Sequence, residues 1–157
     1  MKIRATATAL GLFTTVAAAA EGPGIAYPDG YRRWSHVKTS LVGPSSPAFA
    51  SNGGLHHFYA NEKAMEGYAT GTFPDGAVLI DDGLEAAETN GVTKAGARKR
   101  LAVMVKDAKA APDTGGWLFE VFPKDTRAPS LTPADRAACH ACHTKAKRGA
   151  VFSEPQP

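Results

Sequence analysis

The chain is poor in several things that usually announce a function. It has two cysteines in 157 residues, too few for a disulfide framework. Only 8% of its residues are aromatic, and its formal net charge is +3. A balance so near neutral gives no electrostatic reason to invoke nucleic acid. The basic run "KAGARKR" is local, and on composition alone it reads as a solvated strand edge. Beyond the N-terminus no apolar stretch approaches the roughly 20 residues of a membrane span. No internal repeat is present, and no βαβ alternation.

What is present begins at the N-terminus. Lys2 and Arg4 precede an alanine- and threonine-rich run that ends in Ala18-Ala19-Ala20 before Glu21. This pattern predicts a signal peptide over residues 1–20, cleaved after Ala20. The remaining domain, residues 21–157, would hold about 137 residues and a net charge of about +1. The expected location is periplasmic, with no membrane span.

Punctuation along the domain predicts an α+β fold: an antiparallel β-sheet with flanking helices and a late C-terminal helix. A helical turn is expected at Tyr31–Trp34, and strands near 37–42, 55–60, 77–86, 98–107 and 117–122. Asn61 is placed to cap a short helix ending at Gly71, and "FPDG" (73–76) to form a hairpin-like turn. "GPSSPAFASNGG", "EAAETNGVTKAG" and "AKAAPDTGG" read as loops. In strand 98–107 a period of two sets Leu101, Val103 and Val105 on one face, and Arg100, Ala102 and Met104 on the other. Thr132 and Pro133 open the last helix as N-cap and first residue.

Both cysteines fall within "CHACH", as Cys139 and Cys142, with His143 directly after. C-x-x-C-H is the attachment signal for haem c. On a helical turn the two thiols reach two vinyl groups on one edge of the porphyrin, and the next histidine supplies the iron's proximal ligand. One covalent haem c is therefore expected, bound through Cys139 and Cys142, with His143 on the metal. A thioredoxin-like pair would sit at the start of a helix in a βαβ unit, and a zinc site needs further spaced ligands. His140 is a spacer within the motif. The ligand opposite His143 decides between gas binding or catalysis and electron transfer. Candidates are His36, His56, His57, Met65 and Met104, each with core or surface packing as the alternative reading. Phe49, Phe58 and Phe73 are candidate pocket walls.

The stretches "YPDGYRRWSHVKTSLVG", "GLHHFYANEKAMEGYATGTFPDGAVLIDD", "VMVKDAKAAPDTGGWLFEVF" and "CHACH…VFS" resemble the cytochrome P-460 and cytochrome c′-β family over nearly the whole domain. The resemblance implies an antiparallel sheet with the haem against it, a proximal histidine from the C-terminal motif, an open distal position and a homodimer. Cytochrome P-460 proteins oxidise hydroxylamine and carry a lysine cross-linked to the porphyrin, on the strand after the F-x-D-G turn. That position falls on Asp81, which lacks an amine. The family's distal carboxylate falls near Ala102 and its distal arginine near His56. These departures bring the chain closer to cytochrome c′-β, which binds nitric oxide or carbon monoxide in an apolar pocket. The implied partners are a small gaseous ligand or small nitrogen compound and a redox partner. The alternatives are an oxidoreductase acting on small nitrogen compounds and a six-coordinate electron carrier. Asp81 either faces the haem beside Leu79, where it could relay protons, or belongs to a strand end with both Asp81 and Asp82 turned to solvent.

Overall fold

The computed structural model describes residues 24–156; the segment expected to be a signal peptide, residues 1–20, lies outside them. Five strands form one antiparallel sheet in sequential order: β1 (Ser35–Val42), β2 (Gly54–Ala60), β3 (Val78–Thr89), β4 (Val92–Lys106) and β5 (Trp117–Pro123). Helix α1 (Phe49–Asn52) lies between β1 and β2, α2 (Glu62–Thr70) between β2 and β3, and α3 (Pro133–His143) follows β5. Short 3₁₀ turns occupy Tyr31–Arg33 and Pro112–Thr114. This is the α+β architecture expected from the sequence. Among the described residues, no helix is long and apolar enough to cross a membrane.

Three local expectations change. "EAAETNGVTKAG" is not a loop, because β3 and β4 run on as one long ribbon whose Thr89 pairs with Val92. Asn90 and Gly91 take φ of 53° and 76° at its tip. Positive φ at both central residues is the two-residue hairpin turn that Asn-Gly favours. The "FPDG" turn does not join two paired strands; it leads from α2 into β3, which pairs with β2 and β4. The proline- and serine-rich "GPSSPAFASNGG" ends in a single helical turn, α1.

Helix boundaries follow side-chain chemistry. The Asn61 side chain accepts the Ala64 N–H at 2.9 Å and the Val78 N–H at 3.0 Å, and donates to the Gly76 carbonyl at 2.9 Å. One amide thus caps α2 and ties it to the start of β3. Gly71 ends α2 at φ 81°, where a residue without Cβ bears no steric cost. Asn61→Ala should lower stability by about 2 kcal/mol, a lost cap together with lost strand contacts. A midpoint unchanged in urea would contradict that account.

The sheet separates two apolar layers. Ile80, Leu101, Val103, Phe122 and Tyr31 fill one face, with Ile25, Tyr27 and Trp34 packed over them. Val37, Ala60, Leu79, Trp117 and Phe119 lie on the other, with Ala64, Phe73 and Val151. The two faces of β4 are those the period of two predicts.

Adjacent aspartates are split by the same alternation. Asp82 is fully buried on the first face. It accepts the Tyr31 hydroxyl at 2.5 Å, Arg98 Nε at 2.8 Å and an Arg32 guanidinium nitrogen at 2.8 Å. Strand β3 therefore does not end by turning both aspartates to solvent. Nor is the basic run a simple solvated edge, since Arg98 serves this cluster. Burial works against the Asp82 charge, but the bonds from Arg98, Tyr31 and Arg32 outweigh it and hold its pKa below the usual carboxylate range.

Candidate functional site

Helix α3 starts with a reciprocal cap. The Thr132 hydroxyl accepts the Asp135 N–H, and the Asp135 carboxylate accepts the Thr132 N–H at 2.9 Å. A second anchor comes from Glu120, the one charged residue in the apolar strand "WLFEVF". Glu120 is 1% exposed. It accepts the N–H groups of Val121, Ser130 and Leu131 and the guanidinium of Arg136 at 2.6 Å. One carboxylate thus ties β5, the segment before α3, and α3 itself together. Those bonds overcome the opposing effect of burial and keep its pKa low.

So anchored, α3 lies across the β5 side of the sheet and closes a cleft of about 420 Å³. That size is within the range of small-molecule and cofactor pockets, roughly 300–1,000 Å³. Cys139, Cys142 and His143 all line it. The sheet contributes Phe58, Leu79, Asp81, Ala102, Met104 and Phe119. Burial pushes the Cys139 thiol upward in pKa.

The His143 ring is fixed from three directions. Its Nδ1 lies 2.7 Å from the Ala150 carbonyl, which can only accept. Nδ1 therefore carries a proton, and the tautomer of the neutral ring is the one that leaves the Nε2 lone pair available to a metal. Phe119 and Phe152 flank the ring, each with its centroid 5.1 Å away. Ala150 presents its carbonyl from a tight turn closed by an Arg148–Val151 bridge, with φ of 55° at Gly149 and 65° at Ala150. Trp117 Nε1 donates to the Gly149 carbonyl at 2.8 Å and holds that turn. A left-handed alanine costs about 1–2 kcal/mol, and here it aims a carbonyl at His143.

Cross-strand register arranges the cleft floor in rows. Phe58, Asp81, Ala102 and Val121 pair in succession across β2 to β5. On the next row Gly83 lies between His56 and Arg100. Asp81 faces the cleft in company with Leu79, and Ala102 lies beside it. His56 is 6% exposed and sits behind Asp81 instead of lining the cleft. Its Nδ1 is 2.8 Å from Asp81, and its Nε2 is 2.6 Å from the Asn52 carbonyl.

Other candidates disperse. His36 and His57 are joined through the Thr39 hydroxyl on the exposed side of β1 and β2. Met65 packs against the core, as does Phe73, which sits in the cluster with Trp117. Phe49 is 43% exposed and does not line the cleft. His140 lies 6.5 Å from the Phe119 ring. Met104 does reach the cleft. So do Arg100, Asn52, Glu120 and Phe152, which sequence reasoning did not single out as site residues. The period of two had placed Arg100 on the correct face, and Glu120 was visible as a lone charge in an apolar strand.

The donor set suits a haem. Two thiols and an imidazole line one cleft, whose remaining lining is mainly apolar. No curated protein sequence matches the chain. A family model described as Cytochrome P460 matches residues 28–153. Combined with that cleft, a match over most of the length places the chain in the Cytochrome P460 family and makes it a haem protein.

Proposed function

We propose that the protein is a monohaem c-type cytochrome whose iron takes one axial ligand from the chain and binds nitric oxide or a similar small diatomic molecule at the other position. The single observation that carries this reading is the His143 arrangement. Its Nδ1–H is committed to the Ala150 carbonyl, its ring is clamped by Phe119 and Phe152, and Cys139 and Cys142 line the same cleft. A carbonyl on Nδ1 fixes the tautomer and makes Nε2 a better metal donor. In this reading Cys139 and Cys142 hold the group through thioethers and His143 ligates it. When bound, the group supplies a redox-active iron that accepts small ligands.

The chain does the rest by shape and charge. Phe58, Leu79 and Ala102 supply an apolar stretch of floor that suits an uncharged diatomic ligand. Asp81, where the resemblance expects a cross-linking lysine, lacks the amine for that bond. This weighs against hydroxylamine oxidation of the P-460 type. Met104 on the cleft floor favours a second reading, a six-coordinate electron carrier. Export by the predicted N-terminal signal to the periplasm, where thioether attachment takes place, belongs to the same proposal, as does assembly as a homodimer.

Intact mass of the denatured protein, purified from a host with a cytochrome c maturation system, tests the covalent part. The expected mass is that of the processed chain plus one haem. A chain at its bare polypeptide mass, with the pigment washed away, would overturn it.

A further inference from the structure

His56 is a buried histidine with a partner at each ring nitrogen. The Asn52 carbonyl, 2.6 Å from Nε2, can only accept, so Nε2 carries a proton. The Asp81 carboxylate lies 2.8 Å from Nδ1. Two bare acceptors at that distance would repel, so a proton lies between them as well. Whether it is drawn on the imidazole or the carboxylate, the pair holds one exchangeable proton. His56 is shielded behind Asp81, and Asp81 faces the cleft.

We propose that His56 and Asp81 form a one-proton store coupled to the charge of the haem cleft, with His56 as the group that binds the proton and Asp81, which faces the cleft, as its charged partner. The proposal rests on the haem reading above. Coupling follows from reciprocity: a charge change in the cleft alters proton affinity at the pair, and the pair's protonation alters the cost of that charge change. As one electron enters from a one-electron donor, the cleft loses one unit of positive charge. The pair then binds a proton from water more tightly, so one electron and one proton arrive together.

The surroundings set the sign. Asp81 on β3 favours the charged imidazole, and so does the Asn52 carbonyl at the end of α1. Arg100 on β4 opposes it, with its guanidinium 3.5 Å from Asp81 and 2.7 Å from the Asn52 side chain. Lys99, bonded to the Gly53 carbonyl, and Lys38, over the Phe58 ring, add positive charge nearby. The hydrogen bond to Asp81 is the largest influence, and the His56 pKa is raised above its ordinary value.

The test is the reduction potential of the haem-loaded protein between pH 5 and 9, for wild type, Asp81→Asn and His56→Gln. Wild type should hold a constant potential at low pH. Above the raised His56 pKa the potential should fall, approaching a tenfold change per pH unit, 59 mV for one electron. Asp81→Asn should move that fall to lower pH, and His56→Gln should remove it. A role confined to packing could displace all potentials equally but would leave the slope alone. The same potential-against-pH curve in all three proteins overturns the proposal. A wild-type chain that purifies without haem overturns the haem reading on which it rests, and the denatured mass reveals that before any potential is measured.

Discussion

A chain carrying both Cys139→Ala and Cys142→Ala should retain no pigment after denaturation, an all-or-none change. The thiols are the only two in the chain, and both line the cleft beside His143. Neither lies in the buried apolar core, where truncation to alanine would open a large cavity; Cys139 is half-buried and Cys142 exposed. The fold should therefore survive better than the colour. Loss of one CH₂-sized group from a half-buried position costs about 1 kcal/mol or less. Far-ultraviolet circular dichroism of the double variant should show the native strand content, while an acid–organic extraction should carry any haem into the organic phase. Pigment that stayed with the denatured double variant would rule out thioether attachment at these residues.

The second large effect concerns Asp82. Asp82→Asn keeps the shape of the side chain but removes the charge that faces Arg98 and Arg32. The Arg98 side chain is only 11% exposed. Removing one partner of a buried ion pair costs about 3–5 kcal/mol; Arg98 keeps only the exposed Asp125 as a charged partner, so the lower end of that range is expected. For a domain of this size that corresponds to a fall in Tm of about 10 °C. Asp82 has a depressed pKa in the folded protein, so its contribution is fully present above the unfolded value near 3.9. It is lost as the pH falls through the lower, folded value. The gap between wild type and variant should therefore be widest near neutral pH and close in strong acid. Equal melting temperatures at pH 7 would remove the Tyr31–Arg32–Arg98–Asp82 cluster from any account of stability. Because the cluster lies on the face of the sheet away from the cleft, the variant should keep its haem while folded.

The two aspartates also mark what the sequence made legible. Alternation along β3 guarantees that Asp81 and Asp82 point to opposite faces. It does not say that both faces are covered, one by the N-terminal segment and the other by α3. That information lies in contacts between residues 50 or more positions apart, such as Tyr31 with Asp82. Elements with local causes were readable: the Asn61 cap, the Gly71 stop, the Thr132–Pro133 start and the CxxCH helix. The long β3–β4 ribbon was missed although Asn90-Gly91 signals it directly, because the flanking alanines, threonines and charges lack strand-like hydrophobicity. All of residues 85–97 are exposed, so no buried face wrote a period into them. His56 was read as a possible neighbour of the haem. It serves that cleft from behind, through Asp81. The Ala150 carbonyl left no trace in the sequence, since a backbone group is recognised only by the turn that aims it.

The most direct test of the central claim is the optical spectrum of the purified ferrous protein before and after carbon monoxide is added. The account predicts a broad, high-spin Soret band that shifts on addition of the gas, as expected for iron held by His143 alone. Sharp low-spin α and β bands that do not respond to the gas would contradict it. They would identify a second axial ligand from the chain, with Met104 on the cleft floor the first residue to replace.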